Sequence, residues 1–275
     1  MTQPTIAFIG AGNMGRSMAG GLLKSGWHPA RLVLADSDSQ QRQAVEDLLN
    51  VRAYADNSVA VEDAGIVVLA VKPQVLKPVA EGLAPVVQQK HPLIVSIAAG
   101  VRIPDLERWL GGNLAIVRVM PNTPALVGSG ASAMFANRRV SAEQRDIAES
   151  ILRAVGIAVW LPREELLDVV TALSGSGPAY FFLVMEALER AAIDAGLEAA
   201  TARLLTLETA YGAAKMALEG GTDPAELRRR VTSPGGTTER AIQVLQEGQV
   251  ERLFTEAIKA ATARARELAD LLGEE

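Results

Sequence analysis

The stretch Ile6-Ala7-Phe8-Ile9-Gly10-Ala11-Gly12-Asn13-Met14-Gly15 decides the fold. An apolar run is delivered straight into a G-x-G-x-x-G turn, the pattern of a strand that bends sharply into a dinucleotide-binding helix. The glycines divide the work. Gly10 lets the chain leave the strand, Gly12 lets backbone amides approach a pyrophosphate with no Cβ in the way, and Gly15 lets the next helix pack close. That helix turns its partly positive N-terminus toward the phosphates. A glycine-rich turn of this kind is also compatible with plain structure, so its surroundings matter. Residues 16–24 read as a helix ended by Gly26, and residues 32–35 as a second strand. Asp36 then stands where an acidic side chain accepts hydrogen bonds from the adenosine ribose. Gly10, Ala11, Gly12, Asn13, Met14, Gly15 and Asp36 are therefore the first candidate cofactor residues.

Composition narrows the chemistry. The 275 residues are 49% hydrophobic, enough for a sizeable core and two domains. A formal charge of -5 with no dense Lys/Arg block offers no electrostatic footprint for nucleic acid or an anionic membrane, and neither is an expected partner. The first strand starts near Thr5, which leaves no room for a signal peptide, and no charge-free apolar stretch approaches the roughly 20 residues of a bilayer span. A cytoplasmic protein is expected. The absence of cysteine removes disulfides, thiolate nucleophiles and cysteine-ligated metals, and no metal site is expected. Imidazole chemistry rests on His28 and His91, each placed before a proline and each read as a solvated loop residue. The reaction should therefore work without a histidine acid or base, which disfavours alcohol and hydroxy-acid dehydrogenation.

Up to about residue 160, β-rich runs alternate with amphipathic helices. Residues 32–35, 51–54, 66–70, 93–97 and 115–120 read as strands after the first, the signature of a parallel doubly wound sheet. Residues 131–135 and 158–161 extend it at the edge, around a helix opened by a Ser141 to Gln144 capping box. After Pro162 the strand signals stop, and residues 164–173, 178–195, 201–218, 224–230, 237–247 and 250–272 carry helical patterning. Asp223, Pro224 and Glu226 supply a cap, an N1 proline and an N3 acid. The expected fold is α/β, an N-terminal Rossmann-type doubly wound sheet over residues 1–162 followed by an all-α dimerisation and substrate-binding domain over 163–275. The helix from Pro178 is apolar over most of its circumference (Phe181, Phe182, Val184, Met185, Leu188), as is the next (Leu204, Leu205, Leu207, Met216). One short bundle cannot cover both, so a second copy should, giving an obligate dimer.

Four segments outside the glycine loop carry candidate chemistry. Lys72 and Pro73 follow an apolar strand at the edge where a doubly wound sheet places its ligand crevice. Met120-Pro121-Asn122-Thr123-Pro124 leaves another strand at that edge as a stiff polar loop suited to border a nicotinamide. Ser174-Gly175-Ser176-Gly177-Pro178 reads either as a polar site loop or as the flexible entry to a helix. Ser233-Pro234-Gly235-Gly236-Thr237-Thr238 sets a glycine pair and hydroxyls before a helix, a nest of N–H groups suited to a small carboxylate or else a polar cap.

Together the G-A-G-N-M-G loop, Ala70-Val71-Lys72-Pro73, Asn122-Thr123-Pro124, the LSGSGPAY segment (173–180) and the VTSPGGTT segment (231–238) stand in the order and spacing found in pyrroline-5-carboxylate reductases. The similarity spans essentially the whole chain, and the last two motifs are its most specific part. The resemblance implies reduction of L-1-pyrroline-5-carboxylate to L-proline by NADPH or NADH, in a homodimer with intertwined helical domains and with further assembly open. It also implies that Asn57, Ala70, Val71, Lys72, Pro73, Ala99 and Asn122 touch the cofactor. Val231, Ser233, Gly235, Gly236 and Thr237 would then serve the substrate, with Thr238 facing the imine nitrogen. A cyclic imine titrates near neutrality and needs no histidine, in agreement with the composition. Many members of the family prefer NADPH, whereas Asp36 would repel a 2′-phosphate. Two rival readings stay open from sequence: another two-domain reductase such as a 3-hydroxyacid dehydrogenase, and a non-catalytic NAD(P)H-binding sensor.

Overall fold

The β-rich runs become β1 (Ile6–Ile9), β2 (Leu32–Ala35), β3 (Arg52–Tyr54), β4 (Ile66–Leu69), β5 (Leu93–Ser96), β6 (Ile116–Met120), β7 (Gly130–Ala136) and β8 (Gly156–Trp160) in the computed structural model, which describes residues 3–274. They form one sheet in the order β3-β2-β1-β4-β5-β6-β7-β8. Strands β1, β2, β4 and β5 are buried along their whole length, as strands covered on both faces must be. On one face lie α1 (Asn13–Lys24), α2 (Ser39–Leu49) and α6 (Ala142–Arg153), contributing Met18, Leu22, Val45 and Ile151 to the core. On the other lie α3 (Asn57–Val61), α4 (Pro73–Lys90) and α5 (Ile103–Trp109), contributing Val61, Leu76, Leu83 and Leu106.

The parallel sheet read from the sequence holds from β3 to β6, but β7 runs antiparallel to β6. The cause is the short link over residues 121–129, because a parallel crossover needs roughly a dozen residues or more. Strand β8 is parallel to β7 and is joined to it through α6, whose Ser141/Gln144 capping box makes both of its hydrogen bonds.

Past β8, α7 (Leu166–Val170) runs into a π-helical turn, Thr171–Gly175. The contacts divide the chain into two units: everything up to Ser176 together with everything from Ala260, and Gly177–Lys259. The boundary expected after residue 162 lies earlier than this division, and the end of the last helix belongs with the sheet. Ion pairs, a hydrogen bond and the packing of Leu272 against the core tie both segments to the sheet unit. Buried Arg118 on β6 meets Glu164 at 3.0 Å and Asp168 at 3.9 Å, and Asp168 is also 3.8 Å from Arg266. Arg102 meets Asp270 at 2.6 Å, and Arg108 donates to the Gly273 carbonyl at 2.8 Å.

The second unit contains α8 (Gly177–Asp194), α9 (Ala199–Gly220), α10 (Pro224–Arg230), α11 (Thr237–Glu247) and the first turns of α12 (Val250–Glu274). Its helices start where the sequence has caps. Asp223 accepts the Ala225 amide at 2.8 Å, and Glu198 accepts those of Ala200 at 3.0 Å and Thr201 at 2.9 Å. The two backbone bonds hold the Glu198 carboxyl below the usual carboxylate range. A lowered folded-state pKa adds stability above the ordinary glutamate value, lost as pH falls through the folded one. Glu198→Ala should therefore melt below the parent at neutral pH, with the gap in Tm closing in acid; a gap independent of pH would refute the charged cap.

The apolar surface of this unit is largely uncovered within one chain. Phe181 is 68% exposed, Phe182 64%, Leu204 67% and Leu218 80%. The run Leu166–Asp194 is also long and apolar enough, by length and composition, to cross a membrane, which corrects the expectation that no such stretch exists. Its charge-free centre, 169–185, includes the Ser-Gly-Ser-Gly-Pro segment.

Candidate functional site

The topology brings most of the candidate cofactor residues to one edge of the sheet. The chain moves from β1 outward to β3 and then returns to pair β4 on the other side of β1, so the strand order reverses there. This is where a doubly wound sheet opens its ligand crevice. Gly10–Gly15 follow β1, Asp36 follows β2, Ala70–Pro73 follow β4, Ala99 lies beyond β5 and Asn122 beyond β6. Asn57 opens α3, and its side chain has no hydrogen-bond partner among the described residues. Lys72 is the exposed N-cap residue of α4, with Pro73 at the first helical position.

The glycine loop fits a pyrophosphate. Gly10 has φ +107°, and a Cβ there would lie 2.7 Å from the Ala70 carbonyl oxygen. A Cβ on Gly15 would run into the Gly10 carbonyl, whereas one on Gly12 would meet nothing within 4 Å. Gly12 thus marks an open approach to the N-terminus of α1, which no side chain among the described residues caps. Asp36 is committed inward: Oδ2 accepts the Ala11 amide at 2.8 Å and Oδ1 the Asp38 amide at 2.9 Å. Asp38 caps α2 by accepting the Gln40 amide at 2.8 Å, and Arg42 donates to the Asp36 and Ser37 carbonyls at 2.8 and 2.9 Å. Asn122 is likewise occupied, donating to the Ser174 carbonyl at 3.1 Å and accepting the Ala131 amide at 2.8 Å. Its side chain therefore braces the loop after β6 against the π-helical turn, a role the sequence pattern did not reveal.

The second constellation lies wholly in the helical unit. Val231 ends α10, and residues 233–238 lead into α11. Gly236 donates to the Ser233 carbonyl at 3.0 Å, and Gly235 has φ +72°. With proline at the position before Gly235, these features define a type II turn. Two amides of the expected nest are spent inside the turn, since Gly235 donates to Glu239 Oε2 at 2.8 Å. Those of Thr237 and Thr238 in the first turn of α11 are left without partners among the described residues. The Thr238 hydroxyl does not cap the helix, since Gly236 is the N-cap residue and α11 has no side-chain cap bond among the described residues. Both histidines are exposed at helix ends, as the sequence suggested: His28 Nδ1 accepts the Ala30 amide at 3.2 Å, and His91 follows α4 with φ 48°.

A glycine-loop sheet with an acidic residue after β2, followed by a helical unit with an uncovered apolar surface, defines a self-associating, dinucleotide-dependent oxidoreductase. Residues 5–100 match a family model described as NADP oxidoreductase, coenzyme F420-dependent, and residues 164–268 match the pyrroline-5-carboxylate reductase dimerisation model. The pyrroline-5-carboxylate reductase of Pseudomonas aeruginosa is 51% identical over 274 residues, covering 100% of both chains, and that of Glycine max is 40% identical, covering 96% of each. Among solved structures, the pyrroline-5-carboxylate reductase of Coxiella burnetii superposes with a TM-score of 0.94 at 45% identity, covering 97% of this chain and 99% of that one. The Plasmodium falciparum pyrroline carboxylate reductase with NADP bound superposes at 0.85 and 27% identity, covering 98% and 99%. The chain belongs to the pyrroline-5-carboxylate reductase family. It reduces L-1-pyrroline-5-carboxylate to L-proline with a reduced nicotinamide dinucleotide, and it forms a homo-oligomer. The 3-hydroxyacid dehydrogenase and sensor readings fall with that assignment.

Proposed function

We propose that the 233–238 turn binds the substrate and that Thr238 serves its ring nitrogen. The observation behind this reading is the first turn of α11, where the Thr237 and Thr238 amides and the Thr238 hydroxyl have no partners among the described residues. Amides at a helix N-terminus attract a carboxylate by hydrogen bonding and by the helix dipole together. With the carboxylate held there, the neighbouring hydroxyl is free to donate to the nitrogen as it gains electron density. Gly10–Gly15, Asn57, Ala70–Pro73 and Ala99 would hold the cofactor, which supplies a hydride to the imine carbon when bound. The remaining requirement is positioning, and neither histidine is needed. The oligomer would be an obligate dimer formed through α8 and α9, acting in the cytoplasm on small soluble molecules. Steady-state oxidation of NADH and NADPH, with wild type and turn variants, tests the assignment of residues; turn variants with unaltered kinetics would overturn it.

The same reading favours NADH. The Asp38 and Gln40 amides at the start of α2 already serve the carboxylates of Asp36 and Asp38, so a 2′-phosphate would meet two acids in place of free donors. Arg42 is engaged with backbone carbonyls. The expected result is that NADH is used competitively with NADPH by kcat/KM, and a hundredfold preference for NADPH would overturn it.

A further inference from the structure

We infer that Glu239 is a positioning residue for substrate binding, acting by fixing the orientation of the Pro234–Gly235 peptide. Types I and II of a β-turn differ chiefly in which way the central peptide plane faces, and here that plane carries the Gly235 N–H. Gly235 at φ +72° adopts the type II state, and Glu239 Oε2 accepts its amide at 2.8 Å. A flipped peptide would lose that bond. Proline at 234 excludes the mirror-image turns, which need positive φ at that position, so the alternative left to the segment is the type I state.

The carboxylate makes this bond although cations lie close by in sequence. Arg229 and Arg230 pair with Glu226, Arg228 lies 4.0 Å from Glu251, and Arg240 donates to Gln243 at 2.9 Å. Among the described residues, Glu239 has the Gly235 amide as its hydrogen-bond partner and no ion pair. Glu239 also stands in the first turn of α11, the turn whose Thr237 and Thr238 amides remain open. One side chain therefore links the peptide plane ahead of the helix to the amides that would receive a carboxylate. The turn enters α11 tightly, since a Cβ on Gly236 would lie 3.0 Å from the Ser233 carbonyl oxygen. A change in the 234–235 plane would accordingly be felt at Thr237.

This inference rests on the assignment of the turn to the substrate, and the test separates the two. Glu239→Ala should raise KM for pyrroline-5-carboxylate and the inhibition constant of L-proline about tenfold, the worth of one hydrogen bond to a charged group. The KM for the cofactor and kcat should stay near wild type. Glu239→Gln keeps an acceptor oxygen and should restore most of the affinity, and exchange of the Gly235 amide should accelerate in the alanine variant alone. Gly236→Val serves as the reference for the turn itself. If it raises KM while Glu239→Ala does not, the turn binds substrate but Glu239 does not position it. If neither moves KM, the turn assignment fails as well. A fall in Tm for Glu239→Ala with all kinetic constants unchanged would mark Glu239 as a cap of α11 alone and overturn the inference.

Discussion

Leu188→Asp and Leu205→Asp should each yield aggregated or unfolded protein, although the two side chains are 57% and 54% exposed on a single chain. On an isolated surface such replacements change stability by about 0.5 kcal/mol or less. At an interface between copies the new carboxylate would be buried without a partner, at several kcal/mol, and twofold symmetry would impose the loss on both chains. The single chain gives the reason to expect an interface. Gly177 is the buried residue of α8 and Ala202 that of α9 among the described residues, so neither helix finds within its own chain the apolar cover its composition demands. Light scattering with circular dichroism decides the matter. A folded, active monomer of either variant would show that α8 and α9 are stable while exposed.

The parts legible in sequence were those governed by local rules. The glycine spacing gave the turn after β1, the caps at Ser141 and Asp223 set helix starts, and α10 and α11 span the residues their pattern predicts. Long-range partners decided the rest. Nothing local tells β7 to reverse direction; the shortness of the link from β6 does, together with pairing to a strand already in place. The end of α12 carries the amphipathic pattern of any surface helix, and its place with the sheet depends on Arg102, Arg108 and Asp168 far upstream, which meet Asp270, Gly273 and Arg266. Asn122 was legible as a polar residue at the ligand edge, but its two hydrogen bonds join segments 52 and 9 residues away. In the 233–238 turn the glycine pair predicted outward amides, and the Glu239 bond to Gly235 removes one of them. The sequence does carry a signal for that bond: an acid three residues after the N-cap is the mark of a capping box, here reaching one residue further back.

Thr238→Ala should lower kcat about 10- to 1000-fold, the range associated with one proton donor or one transition-state hydrogen bond. The hydroxyl is half-buried, sits at the second position of α11 and makes no hydrogen bond within the described protein, so its removal leaves no orphaned partner and should barely alter stability. An effect confined to kcat separates this residue from Glu239, whose loss should appear in KM. The direction with pH follows from the chemistry of the ring nitrogen. At low pH the cyclic imine enters already protonated, the hydroxyl has less to supply, and the defect should shrink; at high pH the neutral imine needs a proton during hydride addition, and the defect should grow. Measuring kcat for wild type and Thr238→Ala across the range in which the imine titrates tests both statements. A defect of constant size at every pH would assign Thr238 to orienting the ring without proton donation, and an unchanged kcat throughout would leave the proton to water.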